Sequence, residues 1–373
     1  MKQKLIDLCD IQYGFAFNSA EFTDNSSYPP LIRIRDVKRG YSETFYAGKF
    51  SDEYIVRQGD LLVGMDGEFN IARWKSQDAL LNQRVCRIIA KSNTDEEYLR
   101  FALSIALKKL ENKTAFVTVK HLSAKELNKL VLNVPSLSDQ QIKAKILSKI
   151  EYIISRYHSE IQKLDDLVKS RFMEMFGDPV IDTKHWGQKP LKEMLESIRY
   201  GTSTPPKFSD EGYAFIRATN IKNGKIVSSD MKFISQIEAD RLEKCKLSGG
   251  EIIIVRSGVN AGDTCVVTSQ YVGQYAGYDI ILVLNEFLNP VFLNTLINTA
   301  YMEKVVKPMT RRAAQPHLNS EQTQSFPIIC VPRDLQDQFA AFVREVDKSR
   351  DAIQKSLDET QVLFDSLMQE YFG

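Results

Sequence analysis

The sequence predicts an α+β fold: two pseudo-repeated domains joined by two long antiparallel helices forming a coiled-coil spacer. Three observations predict it. The chain runs through one order of signals twice, in residues 1–177 and 178–373. Each copy opens with strand-sized apolar runs between glycine-bearing loops. Each closes on a long apolar stripe at spacings of three and four.

Taken in chain order, residues 5–14 match 191–201, both closing on Tyr-Gly (Tyr13-Gly14 and Tyr200-Gly201). Strand signals follow at 31–34, 60–63 and 84–89, and in the second copy at 214–217, 251–255, 265–268 and 279–284. Within them Leu31-Ile32-Arg33, followed by Val37-Lys38 and Gly40, matches Phe215-Ile216-Arg217, followed by Ile221-Lys222 and Gly224. Gly59-Asp60-Leu61-Leu62 likewise matches Gly250-Glu251-Ile252-Ile253. Helical periodicity predicts helices over 95–110 and 290–306. His121-Leu122 and Val134-Pro135 then match His317-Leu318 and Val331-Pro332. The offset drifts little, so insertions are confined to loops.

The closing stripe of the first copy is Ile142, Ile146, Ile150, Ile153, Tyr157, Ile161, Leu164, Val168 and Met175. In the second it is Phe339, Phe342, Val346, Ile353, Leu357, Phe364, Leu367 and Tyr371. Ser138 and Asp334 are the expected N-caps. Each helix is about 38 residues, or about 57 Å long, and its stripe is most simply buried against the other helix. Chain direction makes the pair antiparallel and the copies pseudo-twofold related. Such a spacer holds two half-sites less than ~60 Å apart, under two turns of DNA at ~34 Å each. The expected domains are 1–137 and 191–333, the helices 138–177 and 334–373, and the linker 178–190. Deleting the second helix should leave one domain folded.

A chain of 373 residues, 43% hydrophobic and 26% charged, is an ordinary globular protein with room for two or three cores. Five cysteines without a C-x-x-C pair argue against a disulfide framework or zinc ribbon and fit a reducing cytoplasm. The longest apolar stretches are strand-sized, and Asp7 and Asp10 interrupt the first, so neither a signal peptide nor a membrane span is expected.

Catalytic signatures are missing. The sequence has no phosphate-binding glycine loop, nucleophile elbow or zinc helix, and its four scattered histidines have no metal-cluster spacing. Thr204-Pro205-Pro206-Lys207 and Asn133-Val134-Pro135-Ser136 both fail the pattern that an amino-methyltransferase needs to hold a flipped base. Asp36-Val37-Lys38 has a D-x-K look, but its repeat equivalent is Asn220-Ile221-Lys222. No catalytic residue, cofactor or metal is expected.

What remains is a set of turn-borne polar residues suited to base edges and phosphates. In the first copy these are Tyr13, Arg33, Arg35, Lys38, Arg39, Asn70, Lys120 and His121. In the second they are Tyr200, Thr202, Arg217, Asn220, Lys222, Arg256, Arg311, Arg312, Gln315 and His317. Arg33 and Arg217 match each other, which favours a shared structural or phosphate role. Arg35 stands against Thr219, and such differences favour sequence reading. A net charge of +1 is low for a nucleic-acid binder. Basic residues nevertheless gather before each His-Leu turn, including Lys108, Lys109 and Lys113 in one copy and Lys304 and Lys307 in the other. Solvated helix faces account for either cluster taken alone.

The chain resembles the specificity subunits of type I restriction-modification systems. The resemblance is carried by Met175-Phe176-Gly177-Asp178-Pro179 with Trp186 and Leu191, by Gly59-Asp60-Leu61-Leu62, by Gln315-Pro316-His317-Leu318-Asn319, and by Gln141-Ile142 and Gln338-Phe339 near the helix starts. It covers essentially the whole chain. The first copy departs from it with Val119-Lys120 before its His-Leu, and the second with Val331-Pro332-Arg333 where the family often doubles the proline. The resemblance implies a non-catalytic subunit whose two domains each read half of a bipartite, asymmetric site on double-stranded DNA. It further implies that the helices set the gap and dock two methyltransferase subunits, which use S-adenosylmethionine, with restriction motor subunits joining the complex. Two other readings of the residues stand beside it: a coiled-coil adaptor for proteins, and a stand-alone DNA nuclease or methyltransferase.

Overall fold

The computed structural model describes residues 1–113, 121–310 and 316–373. The chain forms two compact units, one of residues 1–158 with 355–373 and the other of 159–354. Each is built around a four-stranded antiparallel sheet. In the first unit the strand order is Cys9–Tyr13, Val85–Ala90, Leu61–Gly64, Ile71–Arg73. In the second it is Leu195–Tyr200, Ile280–Leu284, Ile252–Ile254, Thr264–Val266. The registers also correspond: Cys86 faces Tyr13 and Val63, and Ile280 faces Tyr200 and Ile254.

The aliphatic runs of the inner strands are buried on both faces because alternate side chains leave a strand in opposite directions. Leu61 and Val63 enter the core beneath the helix Glu96–Lys113, while Leu62 joins Ile32, Val37 and Trp74 on the other face. Ile252 and Ile254 enter the core with Phe292 and Leu296, while Ile253 joins Ile216, Ile221 and Cys265. The acid before each strand secures the turn that starts it. Asp60 accepts from Arg57 N and from Arg87 on the neighbouring strand; Glu251 accepts from Ser248 N and pairs with Arg199. The Tyr-Gly turns need glycine for space, since a Cβ at Gly14 or Gly201 would lie 2.0 or 1.6 Å from the carbonyl oxygen of Asn82 or Gly277.

Several expectations change in detail. The run at 31–34 is a strand only over Leu31–Ile32, because Arg33 N donates to the Asp36 carboxylate and starts the helix Ile34–Arg39. In the second unit Arg217 N donates to Asn220 Oδ1 in the same way, and the Asn220 amide donates to the carbonyls of Val227 and Ser229. The D-x-K triplet is therefore half of a repeated backbone clasp, with Asp36 and Asn220 both buried. Asn220→Ala is expected to cost the second unit about 1–3 kcal/mol by leaving buried polar groups unpaired, measurable as a lowered unfolding midpoint. The helix expected over 290–306 is α-helical over Pro290–Leu296 and continues as a π-helical stretch, Ile297–Val306, where Thr299 departs from helical backbone.

The long helices are Leu137–Phe176 and Arg333–Phe372, 40 residues each. The expected caps are displaced. Ser136, not Ser138, accepts from Asp139 N, and Asp334 lies inside the first turn, where the Pro332 carbonyl accepts from Leu335 and Gln336. A glutamine one turn in is buried in each. Gln140 accepts from Asp95 N and donates to the Pro135 carbonyl; Gln336 accepts from Asn289 N and donates to those of Phe287 and Val331.

Within each unit the two helices pair antiparallel. In the first, Lys143 lies 4.6 Å from the Tyr371 ring, and Leu147 clusters with Met368, Phe364 and Phe101. In the second, Asp165 pairs with Arg350 and Phe172 packs on Phe339. Residues 355–373 belong to the first unit and 333–354 to the second, so deleting the second helix would remove buried side chains from both cores. No helix among the described residues is long and apolar enough to cross a membrane.

Candidate nucleic-acid interface

Both His-Leu turns close over the end of the inner strand, and this places candidate side chains together in each unit. In the first, Leu122 N donates to the Met65 carbonyl, and His121 forms a bridge with Asp66. A ring nitrogen of His121 lies against the Asp66 carboxylate, and the Arg84 guanidinium sits 2.8 and 3.0 Å from the two ring nitrogens. Arg84 itself is held at φ 71°. Tyr13 is half-buried and donates to Asn128 Oδ1 at 3.1 Å; burial pushes its hydroxyl up to about 12. Glu68, on the loop after the strand, lies 3.5 Å from both Lys38 and Asn70, so these two candidates flank one loop. Arg33, Arg35 and Arg39 are exposed on or beside the short helix, where Arg35 and Arg39 lie 3.7 Å from Asp36 and Glu43.

The second unit repeats the frame with other side chains. Leu318 N donates to the Arg256 carbonyl, and His317 bridges Ser257. Arg256 lies over the rings of Tyr200 and Tyr278, at 4.6 and 4.5 Å. The Tyr200 hydroxyl accepts from Ser320 N, and Arg256 N donates to the buried Asp279 carboxylate at 3.0 Å. Burial raises the Asp279 carboxyl to about 6, opposed by its bond from Arg256. Tyr200, Arg256 and His317 therefore meet at one place.

Other candidates stand apart from it. Asn220 is fully buried with its amide engaged, so it has no surface to offer a base, which corrects its place among the candidates. Arg217 is bound to the carbonyl and carboxylate of Asp230. Thr202 closes a local turn onto Thr204, and Lys222 is exposed on a short hairpin. Lys304 and Lys307 face Asp178 and Glu303, and Lys109 donates to the Phe372 carbonyl, which dilutes the basic clusters. Lys120, Arg311, Arg312 and Gln315 lie outside the described residues.

Sequence reasoning missed Asp66, Arg84 and Tyr278. Arg84 and Tyr278 hold equivalent positions just before the second strand of each sheet, and the repeat alignment could have exposed them. Ser123-x-x-Glu126 and Asn319-x-x-Gln322 are capping boxes that start short helices after each His-Leu turn, a signal also readable in advance. Among the described residues no group of His, Cys, Asp and Glu could hold a metal ion.

Comparison with known proteins agrees with this twofold architecture. The type I restriction modification DNA specificity domain matches twice, over residues 1–165 and 183–360. The EcoBI type I restriction enzyme specificity subunit of Escherichia coli is 25% identical, the match spanning 97% of this chain and 82% of that protein. The MjaVIII specificity subunit of Methanocaldococcus jannaschii is 20% identical over 79% and 73%. In fold, the chain is similar to the crystal structure of the type I restriction-modification S subunit from M. genitalium, with a TM-score of 0.62 at 16% identity, covering 100% of this chain and 96% of that one. With the family model matching both repeats, the chain belongs to the type I restriction-modification DNA specificity family.

Proposed function

We propose that this chain reads a bipartite, asymmetric site on double-stranded DNA, one half with each repeat, within a restriction-modification complex. One observation carries the reading: a single frame of sheet, Tyr-Gly turn and His-Leu turn is built twice, with different side chains at its exposed end. Residues 1–137 and 191–333 are the reading domains, and the long helices set the gap and dock two methyltransferase subunits. Methyl transfer belongs to those partners, which use S-adenosylmethionine, and restriction motor subunits join through the complex in the cytoplasm.

Tyr13, Lys38, Asn70 and His121 in the first repeat, and Tyr200, Arg256 and His317 in the second, are the candidates grouped at the reading surface. Arg33, Arg35, Arg39, Thr202 and Lys222 are candidates for flanking contacts.

Single-base methylation maps of cells carrying the partner methyltransferase, with and without this chain, test the reading. Adenine marks in a two-part motif with a fixed gap are expected only with the chain. An active methyltransferase that produces no such motif would overturn it. Binding to duplex DNA should also fall steeply with salt, by roughly 10³–10⁵ between 50 and 200 mM if six to ten phosphates are engaged; a flat response would point to a protein adaptor.

A further inference from the structure

We propose that Arg256 is a base-reading residue of the second repeat and that it takes the paired acceptors on the major-groove edge of a guanine. This rests on the DNA-reading function above. Two cation–π contacts restrict where its guanidinium can go. Of the rings that make them, Tyr200 is fixed by the bond its hydroxyl accepts from Ser320 N, and Tyr278 stands half-exposed next in sequence to the buried Asp279. The backbone of Arg256 is pinned by bonds to Asp279 and from Leu318. Among the described residues, Nε is buried without a partner and the guanidinium forms no ion pair. The side chain is thus oriented before any ligand arrives, with donors unspent.

That arrangement favours a base over a phosphate. A planar fork held in place matches guanine O6 and N7, two acceptors in one plane, whereas a phosphate can be met by a mobile lysine from many directions. The two repeats also differ at this point. Met65 takes the place of Arg256, and Arg84, at the position of Tyr278, is engaged by Asp66 and His121. Phosphates are the same at both half-sites, so a phosphate contact would be expected in both repeats; a contact to one base need occur in only one.

The test uses the full chain assembled with its methyltransferase partners. The wild-type motif is mapped first, and binding is then measured on duplexes carrying 7-deazaguanine at each motif guanine in turn. Loss of N7 at one guanine of one half-site removes one of the two acceptors and should weaken wild-type binding by about 2–12-fold, about half the free energy of one bidentate contact. Arg256→Gln should lose the guanine preference at that same position, and Tyr278→Leu should weaken it, with the other half-site read as before and serving as a control for folding.

A uniform loss across all sequences, with a salt slope reduced by about one, would overturn the proposal in favour of a phosphate contact. An unchanged motif in Arg256→Gln, or insensitivity to every 7-deazaguanine, would also overturn it. No bipartite motif from the wild type would instead defeat the underlying function.

Discussion

Phe172→Ala is expected to destabilise the second unit by about 3–5 kcal/mol, the range for emptying a buried aromatic site. Phe172 is fully buried, with ring centroids 5.0 Å from Phe176 and 5.5 Å from both Phe292 and Phe339. It therefore joins the first long helix, the second long helix and the helix Pro290–Leu296 in one cluster. The chain has two tryptophans, Trp74 in the first unit and Trp186 in the second. Urea unfolding of 5-fluorotryptophan-labelled protein, followed by ¹⁹F NMR, reads the units separately. The Trp186 signal should convert at much lower urea while Trp74 shifts less. A loss under 1 kcal/mol at Trp186 would show that the cluster does not hold the unit together.

Asp279→Asn is expected to remove a pH dependence and to stabilise the second unit above pH 6. The folded carboxyl titrates near 6, raised from 3.8 by burial. Between those values the folded state holds a proton that the unfolded state has released, so stability falls as pH rises from about 4 to 6 and is level above. The shift of about two units corresponds to about 3 kcal/mol. Asparagine keeps an acceptor for Arg256 N without a charge to bury, so its stability should stay nearly constant across that window. Unfolding midpoints at pH 4.5, 5.5 and 7 for both proteins measure the difference, and parallel pH profiles would refute the assignment.

The repeat made most of the architecture legible. Matching Tyr-Gly, Gly-acid and His-Leu signals identified both sheets, because each marks a point where backbone geometry or a buried charge restricts the residue. The long helices were legible from periodicity, although their true starts depended on Ser136 and on carbonyl capping by Pro332. Gln140 and Gln336 passed unnoticed, since a buried glutamine looks like any polar residue until its distant partners at Asp95 and Asn289 are known. The candidate site was half legible. Tyr200, Arg256 and His317 were named separately, but their convergence depends on contacts across more than 50 residues. Asn220 was misread because a buried amide clasp and an exposed base-reading asparagine share a residue type.

The division of the second long helix bears on how the chain is made. Phe372 packs on Tyr98, Met368 on Phe101 and Leu147, and these belong to the unit that begins at residue 1. Synthesis at 5–20 residues per second separates residue 158 from residue 355 by about 10–40 s. Through that interval the nascent first unit lacks part of its apolar cover, while every residue of the second is already joined to the chain before the first is completed. A polypeptide released early thus presents an unfinished amino-terminal unit to proteases and chaperones, and translation through the last turns of the second long helix becomes a condition for the amino-terminal unit to be sound.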